Sequence, residues 1–254
     1  MKLLLFPLIA ILLCLQTLAQ QTPSIFENKR NIVKVNLTSP IIKNYGVQYE
    51  RVINKVVSVA ISGRVMPTTT IPFKNYIQKR LIIEDDDLLS DAFDQAKFSN
   101  FAITPEVRFY LGKKGYGRGF YIAPYYRYSK YDAHEFKYTN LHDGEETIID
   151  LKGSMSSHTG GFLLGAQWML TNVVGLDWWI LGPNIGGGKG NASGLSNKPI
   201  DPVDQADIKQ QLEGDLDDVS FIKHEVFVDA NGAKIKLTGP WGGVRAGVLL
   251  TFRF

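Results

Sequence analysis

The sequence has almost no cysteine. Cys14 is the only one among 254 residues, and it lies in an apolar N-terminal segment that has the features of a cleaved export signal. The mature chain is therefore expected to contain no thiol, which excludes disulfide frameworks, thiolate zinc sites and cysteine nucleophiles. An exported chain of this size without disulfides must depend on a packed core or on a closed hydrogen-bond network.

The sequence also has no large excess of positive or of negative residues. The 28 lysines and arginines nearly balance 25 acidic residues, for a formal net charge of +3, which argues against a nucleic-acid partner. After the first twenty residues no long apolar run remains, so the sequence does not predict a helical membrane protein. Only four histidines are present, which leaves few candidates for a general base.

The N-terminal segment predicts export. Lys2 provides a short positive region, Leu3–Leu15 is apolar, and Thr17–Ala19 places small residues where a signal peptidase cleaves. A transmembrane helix would need about 20 apolar residues, and this run is shorter. We therefore expect residues 1–19 to be a signal peptide and the mature chain to start at Gln20.

Apolar and polar residues alternate with period two along much of the remaining chain, which is the pattern of strands with one apolar and one polar face. Most of these runs approach the length of a tilted strand that crosses a bilayer, about 9–11 residues. The predicted strands are Ile32–Thr38, Tyr45–Val52, Val56–Met66, Phe101–Leu111, Gly119–Lys130, His158–Leu170, Val173–Pro183 and Gly243–Phe254.

Short and long connections alternate between these strands. The short ones are Asn54-Lys55, Gly112–Arg118 and Thr171-Asn172, and the long ones are Pro67–Asn100, Tyr131–Ser157 and Asn184–Gly242. Outer-membrane barrels have short periplasmic turns and long extracellular loops. The pattern thus predicts an all-β fold over residues 20–254: an eight-stranded antiparallel transmembrane up-and-down β-barrel.

Alternation alone leaves open which face points outward, and a secreted lipocalin-like carrier would have its apolar face inside. Two features favour lipid outside. The polar faces are rich in Gly, Ser, Ala and Tyr, and aromatic residues gather toward the strand ends, as membrane-interface girdles require. Those aromatic residues are Phe101, Phe109, Phe120, Tyr128, Trp168, Trp178 and Phe252. Pro105 and Pro124 lie in mid-strand without a donor N–H, so we expect bulges or edge-like irregularities there.

The charged residues on the polar faces are predicted to point into the barrel: Lys34, Glu50, Arg64, Glu106, Arg108, Arg127, Asp177, Arg245 and Arg253. An eight-stranded barrel is only wide enough for side chains to fill it, which argues against a diffusion porin. Buried charges must pair, since an unpaired one is costly. We expect a structural network of ion pairs, with a polar substrate or proton path as the alternative.

No arrangement of residues predicts catalysis. A barrel hydrolase or acyltransferase acting on envelope lipid or peptide would need a serine or histidine with an acidic partner near a rim. Only His158 borders a predicted strand, beside Ser156 and Ser157, and no third partner is fixed. The sequence therefore favours a protein that is not an enzyme, with the envelope enzyme as the alternative.

No cofactor or metal site is predicted either. Gly186–Gly190 lacks the spacing of a phosphate-binding loop and is expected to be a flexible loop. The acidic run Glu84–Asp87 and the acidic residues around Asp204–Leu212 lack the glycine that a calcium-binding EF-hand loop requires, so we expect solvated loops. Asp204–Leu212 is also expected to form a short helix in the last loop.

Four segments carry a family resemblance: Asn31–Leu37, Gly46–Arg51, Thr104–Tyr110 and Val244–Phe254. With them the mature chain resembles the small eight-stranded barrels of the OmpA/OmpX type. It resembles more closely a Bacteroidota family of exported barrels that is labelled a domain of unknown function. The resemblance implies the outer membrane of a Gram-negative cell and an unassigned role.

The end of the last strand, with Phe252 and Phe254, resembles the C-terminal signal that the barrel-assembly machinery reads in outer-membrane barrels. The expected partners are therefore this machinery during biogenesis and the lipid of the outer membrane afterwards. We expect a monomer that serves surface binding or envelope integrity through its extracellular loops.

Overall fold

The structure is a computed structural model that describes residues 26, 28–70, 97–142, 145–217 and 221–254. The predicted signal peptide over residues 1–19 and the acidic run Glu84–Asp87 lie outside these residues. The described strands are β1 (Asn31–Asn36), β2 (Tyr45–Val52), β3 (Val57–Thr70), β4 (Lys97–Tyr110), β5 (Gly119–His142), β6 (Glu145–Met169), β7 (Val174–Ser196), β8 (Lys223–Asp229) and β9 (Gly232–Arg253). A 3-10 turn (Ser39–Ile42) follows β1, and helix α1 (Pro202–Asp217) follows β7.

Eight of these strands form a closed ring. Each strand from β1 to β6 pairs antiparallel with the next, β7 pairs with β9, and β9 closes the ring on β1 through pairs such as Ile32↔Arg253. Strand β8 lies outside the ring and pairs with β9 alone. The predicted eight-stranded antiparallel barrel is confirmed, since every barrel strand has two neighbours and the ring has no free edge.

The two faces of the barrel wall differ sharply in polarity. On β1, Val33 and Val35 are exposed on the outside while Lys34 between them is completely buried inside. The same alternation holds on β4, where Val107 and Phe109 are exposed and Arg108 is completely buried. The carrier interpretation requires the opposite arrangement, and the structure contradicts it.

The ends of the barrel are unlike. One end, here called the turn end, holds the connections near residues 53–56, 111–118 and 170–173 and the start of β1 beside the end of β9. The opposite end, the loop end, holds the 3-10 turn between β1 and β2. Beyond the loop end, strands β5, β6, β7 and β9 continue to pair with one another.

This continuation corrects the prediction of long loops. Most of Tyr131–Ser157 belongs to the β5–β6 hairpin, and Asn184–Gly242 contains the rest of β7, helix α1, strand β8 and half of β9. Gly186–Gly190 was expected to be a flexible loop but lies in β7, paired on both sides, as in His158↔Gly187↔Pro240. The prediction failed because apolar and polar residues alternate along a strand only where one of its faces contacts lipid or a hydrophobic core. Glycine has no side chain and therefore adds nothing to such a pattern.

Beyond the loop end the structure has a hydrophobic core of its own. We call this part the head, and it consists of β8, α1 and the portions of β6, β7 and β9 beyond the loop end. Its buried core residues are Ile149, Leu151, Ile200, Ile208, Leu212, Val226, Ala233 and Ile235. On β9, Ile235 lies on the same face as the inward-pointing Arg245 and Arg253, because alternation continues along the strand. Helix α1 therefore packs on the same face of the sheet that, nearer the turn end, lines the barrel interior.

Helix α1 begins where the sequence provides a cap. The side chain of Asp201 accepts hydrogen bonds from the backbone N–H groups of Val203 and Asp204, at 2.8 and 2.9 Å, which satisfies two donors at the start of the helix. Pro202 occupies the first helical position, where a missing N–H does no harm. The helix expected over Asp204–Leu212 is present and is longer at both ends.

Bulges or edge-like irregularities were expected at Pro105 and Pro124; the structure has no bulge at either proline, but the ladder between β4 and β5 is interrupted there. The pairing of β4 with β5 keeps one register from Ile103↔Tyr128 to Tyr110↔Tyr121, and its register shift lies at Lys97/Phe98. Both prolines are missing from this ladder but pair regularly with their other neighbours, as Ile61↔Pro105 and Pro124↔Phe162. The missing donors therefore interrupt one seam without inserting a residue.

Among the described residues, no helix has the length and apolar character to cross a membrane.

The separate core of the head generates a prediction. Replacing the completely buried Ile208 by alanine should remove about 2–5 kcal/mol of local stability, because it opens a cavity between α1 and the sheet. Limited proteolysis of the purified protein with mass spectrometry should then show faster cleavage within residues 197–230. The control is Val203→Ala on the same helix, where the side chain is 63% exposed. Equal cleavage of the two variants would contradict a packed head.

Candidate functional site in the barrel interior

Arg108 on β4 is the centre of the barrel interior. Its side chain is completely buried and contacts carboxylates from three other positions on the wall. Nε donates to Glu106 Oε1 at 2.5 Å, while Nη1 lies 2.7 Å from Asp177 Oδ2 and 3.1 Å from Glu50 Oε2. Because strands β2, β4 and β7 supply these groups, the interactions connect opposite sides of the ring.

Lys34 on β1 joins the same carboxylates. Its Nζ lies 2.6 Å from Asp177 Oδ2 and also pairs with Glu50, and it donates to Gln167 Oε1 at 2.5 Å. Arg245 on β9 pairs with Glu106 from the loop-end side. We call these six residues the interior ion network: Lys34, Glu50, Glu106, Arg108, Asp177 and Arg245.

The interior ion network contains three cations and three anions, so it is neutral as a set. Neutrality matters because an isolated charge in a dry interior is strongly unfavourable, whereas paired and hydrogen-bonded charges are tolerated. The network fills the middle of the barrel, and this arrangement is suited to sealing a channel and to fixing strand positions.

Neutral side chains complete the hydrogen bonding. Tyr110 and Ser58 donate to Glu50 Oε1 at 2.7 and 2.5 Å, and Tyr121 donates to Asp177 Oδ1 at 2.7 Å. The Tyr121 ring occupies the space where a side chain on Gly165 would lie, so glycine is required there. The alternation in the sequence indicates polar faces rich in tyrosine, but it does not identify Tyr110 and Tyr121 as partners of the charges.

The turn end is closed by a second cluster. The Arg253 guanidinium donates to the backbone carbonyls of Phe26, Lys29 and Tyr116, each at 2.6 Å. Phe26 is buried there, with the Arg118 guanidinium 4.1 Å from its ring centroid. The sequence indicated Arg253 by its alternation but missed Phe26 and Arg118, which lie outside the strands and carry no periodic signal.

The remaining two predicted interior charges do not join the network. Arg64 on β3 donates to Asn100 Oδ1 at 2.7 Å, and Arg127 on β5 donates to Thr104 Oγ1 at 3.1 Å. Both lie toward the loop end and line one cavity together with Arg245. Alternation correctly assigns such residues to the inner face, but it does not give their height along the barrel.

The residues considered for catalysis are separated by the barrel wall. His158 points outward, where it hydrogen-bonds to the hydroxyl of Tyr126 and contacts the ring of Tyr128, whereas Ser157 points inward and is buried. In the described part of the chain, no three His, Cys, Asp or Glu residues are grouped so that they could hold a metal ion.

A family model described as "Protein of unknown function (DUF3575)" matches residues 7–186. No curated protein matches the sequence. The N-terminal β-barrel domain of Pseudomonas aeruginosa OprF aligns over 89% of this chain and 98% of its own, at 9% identity and a TM-score of 0.27. Acinetobacter baumannii CarO2 aligns over 84% and 98%, at 13% identity and a TM-score of 0.33. The fold assignment above depends on the strand pairing and not on these alignments.

The role of Arg108 can be tested by removing its charge. Arg108→Met leaves three buried carboxylates with two cations, and the protein should lose about 3–5 kcal/mol of unfolding free energy. Urea unfolding of protein inserted in phospholipid vesicles, followed by tryptophan fluorescence, measures this loss.

Arg51→Met is the matched control, because Arg51 is exposed on the outer surface of β2 and its loss should change stability by about 0.5 kcal/mol or less. Adding Asp177→Asn to Arg108→Met should restore part of the stability, since it removes one uncompensated carboxylate. Equal stability of the two single variants would show that the interior ion network does not support the barrel.

Proposed function

The chain belongs to the family of proteins of unknown function DUF3575, and we propose from its geometry that it is a sealed outer-membrane anchor that displays the head at the cell surface. The observation that carries this proposal is the reversed polarity of the barrel. Completely buried charges occupy its centre, and large apolar side chains are exposed around its outside. Such a wall is suited to lipid outside and not to water.

The exposed apolar residues come from every strand of the ring. They include Val33, Val47, Ile61, Phe101, Phe120, Phe162, Trp178 and Phe252. A soluble protein that exposed an apolar surface around its whole circumference would associate with itself or with other molecules. The same surface in an outer membrane is the normal lipid-facing band, with aromatic residues at the interfaces.

The orientation follows from the two ends. Outer-membrane barrels place short turns in the periplasm and their larger connections outside the cell. The turn end here is short and closed, while the loop end carries the head with its own core. The proposed orientation therefore exposes the head to the medium, and export through a signal peptide over residues 1–19 is part of the proposal.

The head offers a surface for binding. Leu195 and Phe227 are 73% and 53% exposed on the side of the sheet opposite to α1, with the exposed Lys234 paired to Phe227. Apolar side chains left exposed beside charges on a rigid sheet are typical of contact surfaces for a partner. The proposed role is therefore binding or envelope support, without catalysis.

Cysteine labelling tests the orientation, in a Cys14→Ser background that contains no other thiol. Lys209 is exposed on α1, and Lys113 is exposed in the turn between β4 and β5. In intact cells a membrane-impermeant maleimide should label Lys209→Cys and should label Lys113→Cys only after the outer membrane is opened. Labelling of the turn in intact cells, or protection of the head, would contradict the proposed orientation.

Conductance tests the sealed interior. The neutral interior ion network leaves no room for a water-filled path, so the purified protein should give no stable current steps in a planar lipid bilayer. A porin inserted under the same conditions is the positive control. Reproducible steps that persist in independent preparations would show that the barrel conducts and that the anchor role is incomplete.

A further inference from the structure

Three arginines surround one cavity at the loop end of the barrel. The cavity has a volume of about 290 Å³ and lies between the interior ion network and the 3-10 turn, and we call it the vestibule. Its wall includes Arg64 from β3, Arg127 from β5 and Arg245 from β9, together with Thr104 and Trp179. Three separate strands thus bring guanidinium groups to a single space.

The positive charge of the vestibule is not balanced. Arg245 pairs with Glu106, but Glu106 also pairs with Arg108. Arg64 donates to Asn100 and also interacts with the Tyr131 hydroxyl, while Arg127 donates to Thr104 and lies near the ring of Tyr125. All of these partners are neutral, and no carboxylate of the described residues forms an ion pair with either arginine. The interior ion network is neutral, whereas the space above it has two excess cations.

Two donors in the vestibule have no acceptor. Nε of Arg64 and Nε of Arg245 are buried without a hydrogen-bond partner in the described structure, and the Arg245 side chain is only 3% exposed. The Arg245 guanidinium also stacks on Trp179, 3.6 Å from the ring centroid, which holds it in place. Fixed, unsatisfied guanidinium donors next to excess positive charge are the features of a site for an oxyanion.

We propose that the vestibule binds a phosphate group through Arg64, Arg127 and Arg245. Phosphate fits the chemistry because its three or four oxygens can accept from several guanidinium groups at once, and its charge offsets the two excess cations. The bound group occupies a position that is open toward the loop end and closed below by the interior ion network.

A second cavity lies next to the vestibule, on the outside of the barrel. This cavity, about 310 Å³, lies on the apolar outer face beside Val35, Val65 and Phe101. It shares Arg64 and the two glycines Gly46 and Gly63 with the vestibule. The paired strands β2 and β3 separate the two cavities, since Gly46↔Arg64 and Val47↔Gly63 belong to their continuous ladder. Inorganic phosphate and the head of a phospholipid that enters from the loop end offer the same oxygens to the arginines, and the two probes below distinguish these sources.

The experiment uses the full protein in a non-ionic detergent, with two probes measured by isothermal calorimetry. The probes are inorganic phosphate and dihexanoyl phosphatidic acid, a short-chain lipid with the same head. The wild type should bind phosphate saturably. Tighter binding of the lipid than of phosphate would identify a lipid source, and equal affinity would identify free phosphate. Absence of saturable binding of both probes would overturn the proposal.

The double variant Arg64→Gln/Arg127→Gln should weaken binding of the preferred probe by at least about tenfold, as expected for loss of hydrogen bonds from charged donors. The matched control Arg51→Gln/Lys55→Gln removes two exposed cations at the turn end and should stay within about twofold. An equal loss in both double variants would show binding by general charge and would contradict a built site.

Stability gives a second readout that distinguishes binding from a structural role. In phosphate-free buffer the Arg64→Gln/Arg127→Gln variant should be at least as stable to urea as the wild type, because it relieves repulsion between uncompensated cations. Added probe should raise the urea midpoint of the wild type and not that of the variant. A large fall in stability without probe, with no probe-dependent gain in the wild type, would mean that the arginines are only structural.

Discussion

Charges at the fully buried centre of a narrow closed barrel must be paired, and this constraint determines the rest of the structure. Lys34 on β1, Glu50 on β2, Arg108 on β4 and Asp177 on β7 reach one another only when the ring is closed and every strand is in register. A slip of one residue in any of these strands would turn its charge outward. The interior ion network therefore specifies closure and register as well as sealing the barrel.

Electrostatic character changes along the barrel axis. At the turn end, Arg253 donates to three backbone carbonyls beside the buried ring of Phe26. The middle contains equal numbers of opposite charges, and the vestibule contains excess positive charge beneath the loop end. Beyond it, the head returns to an ordinary hydrophobic core between α1 and the sheet. The same inner face of β9 passes through all four environments, so one strand joins the anchor to the head.

The barrel itself could be predicted from the sequence, because lipid outside and polar side chains inside impose strict alternation. Strand β2 was predicted with its observed bounds, Tyr45–Val52, for this reason. The extensions of β5, β6, β7 and β9 could not be predicted, since beyond the membrane both faces of a strand can be polar. In the run Gly186–Gly190 only Lys189 has a side chain beyond hydrogen, so the run shows no alternation.

The candidate site could be predicted in part. Alternation assigns Arg64, Arg108 and Arg127 equally to the inner face, yet only Arg108 lies at the height of the carboxylates. Height depends on the tilt and stagger of the strands around the ring, and these are properties of the closed barrel. For the same reason the sequence could not show that Arg64 and Arg127 share a cavity with Arg245.

The central claim is a closed barrel with its charges inside and its apolar face in lipid. Heat-modifiability in membrane fractions tests this most directly, because a closed barrel stays folded in mild detergent until it is boiled. The account predicts a protein found in the outer-membrane fraction that migrates faster on a gel when it is not boiled. A protein found in the soluble fraction, with the same migration before and after boiling, would contradict the account.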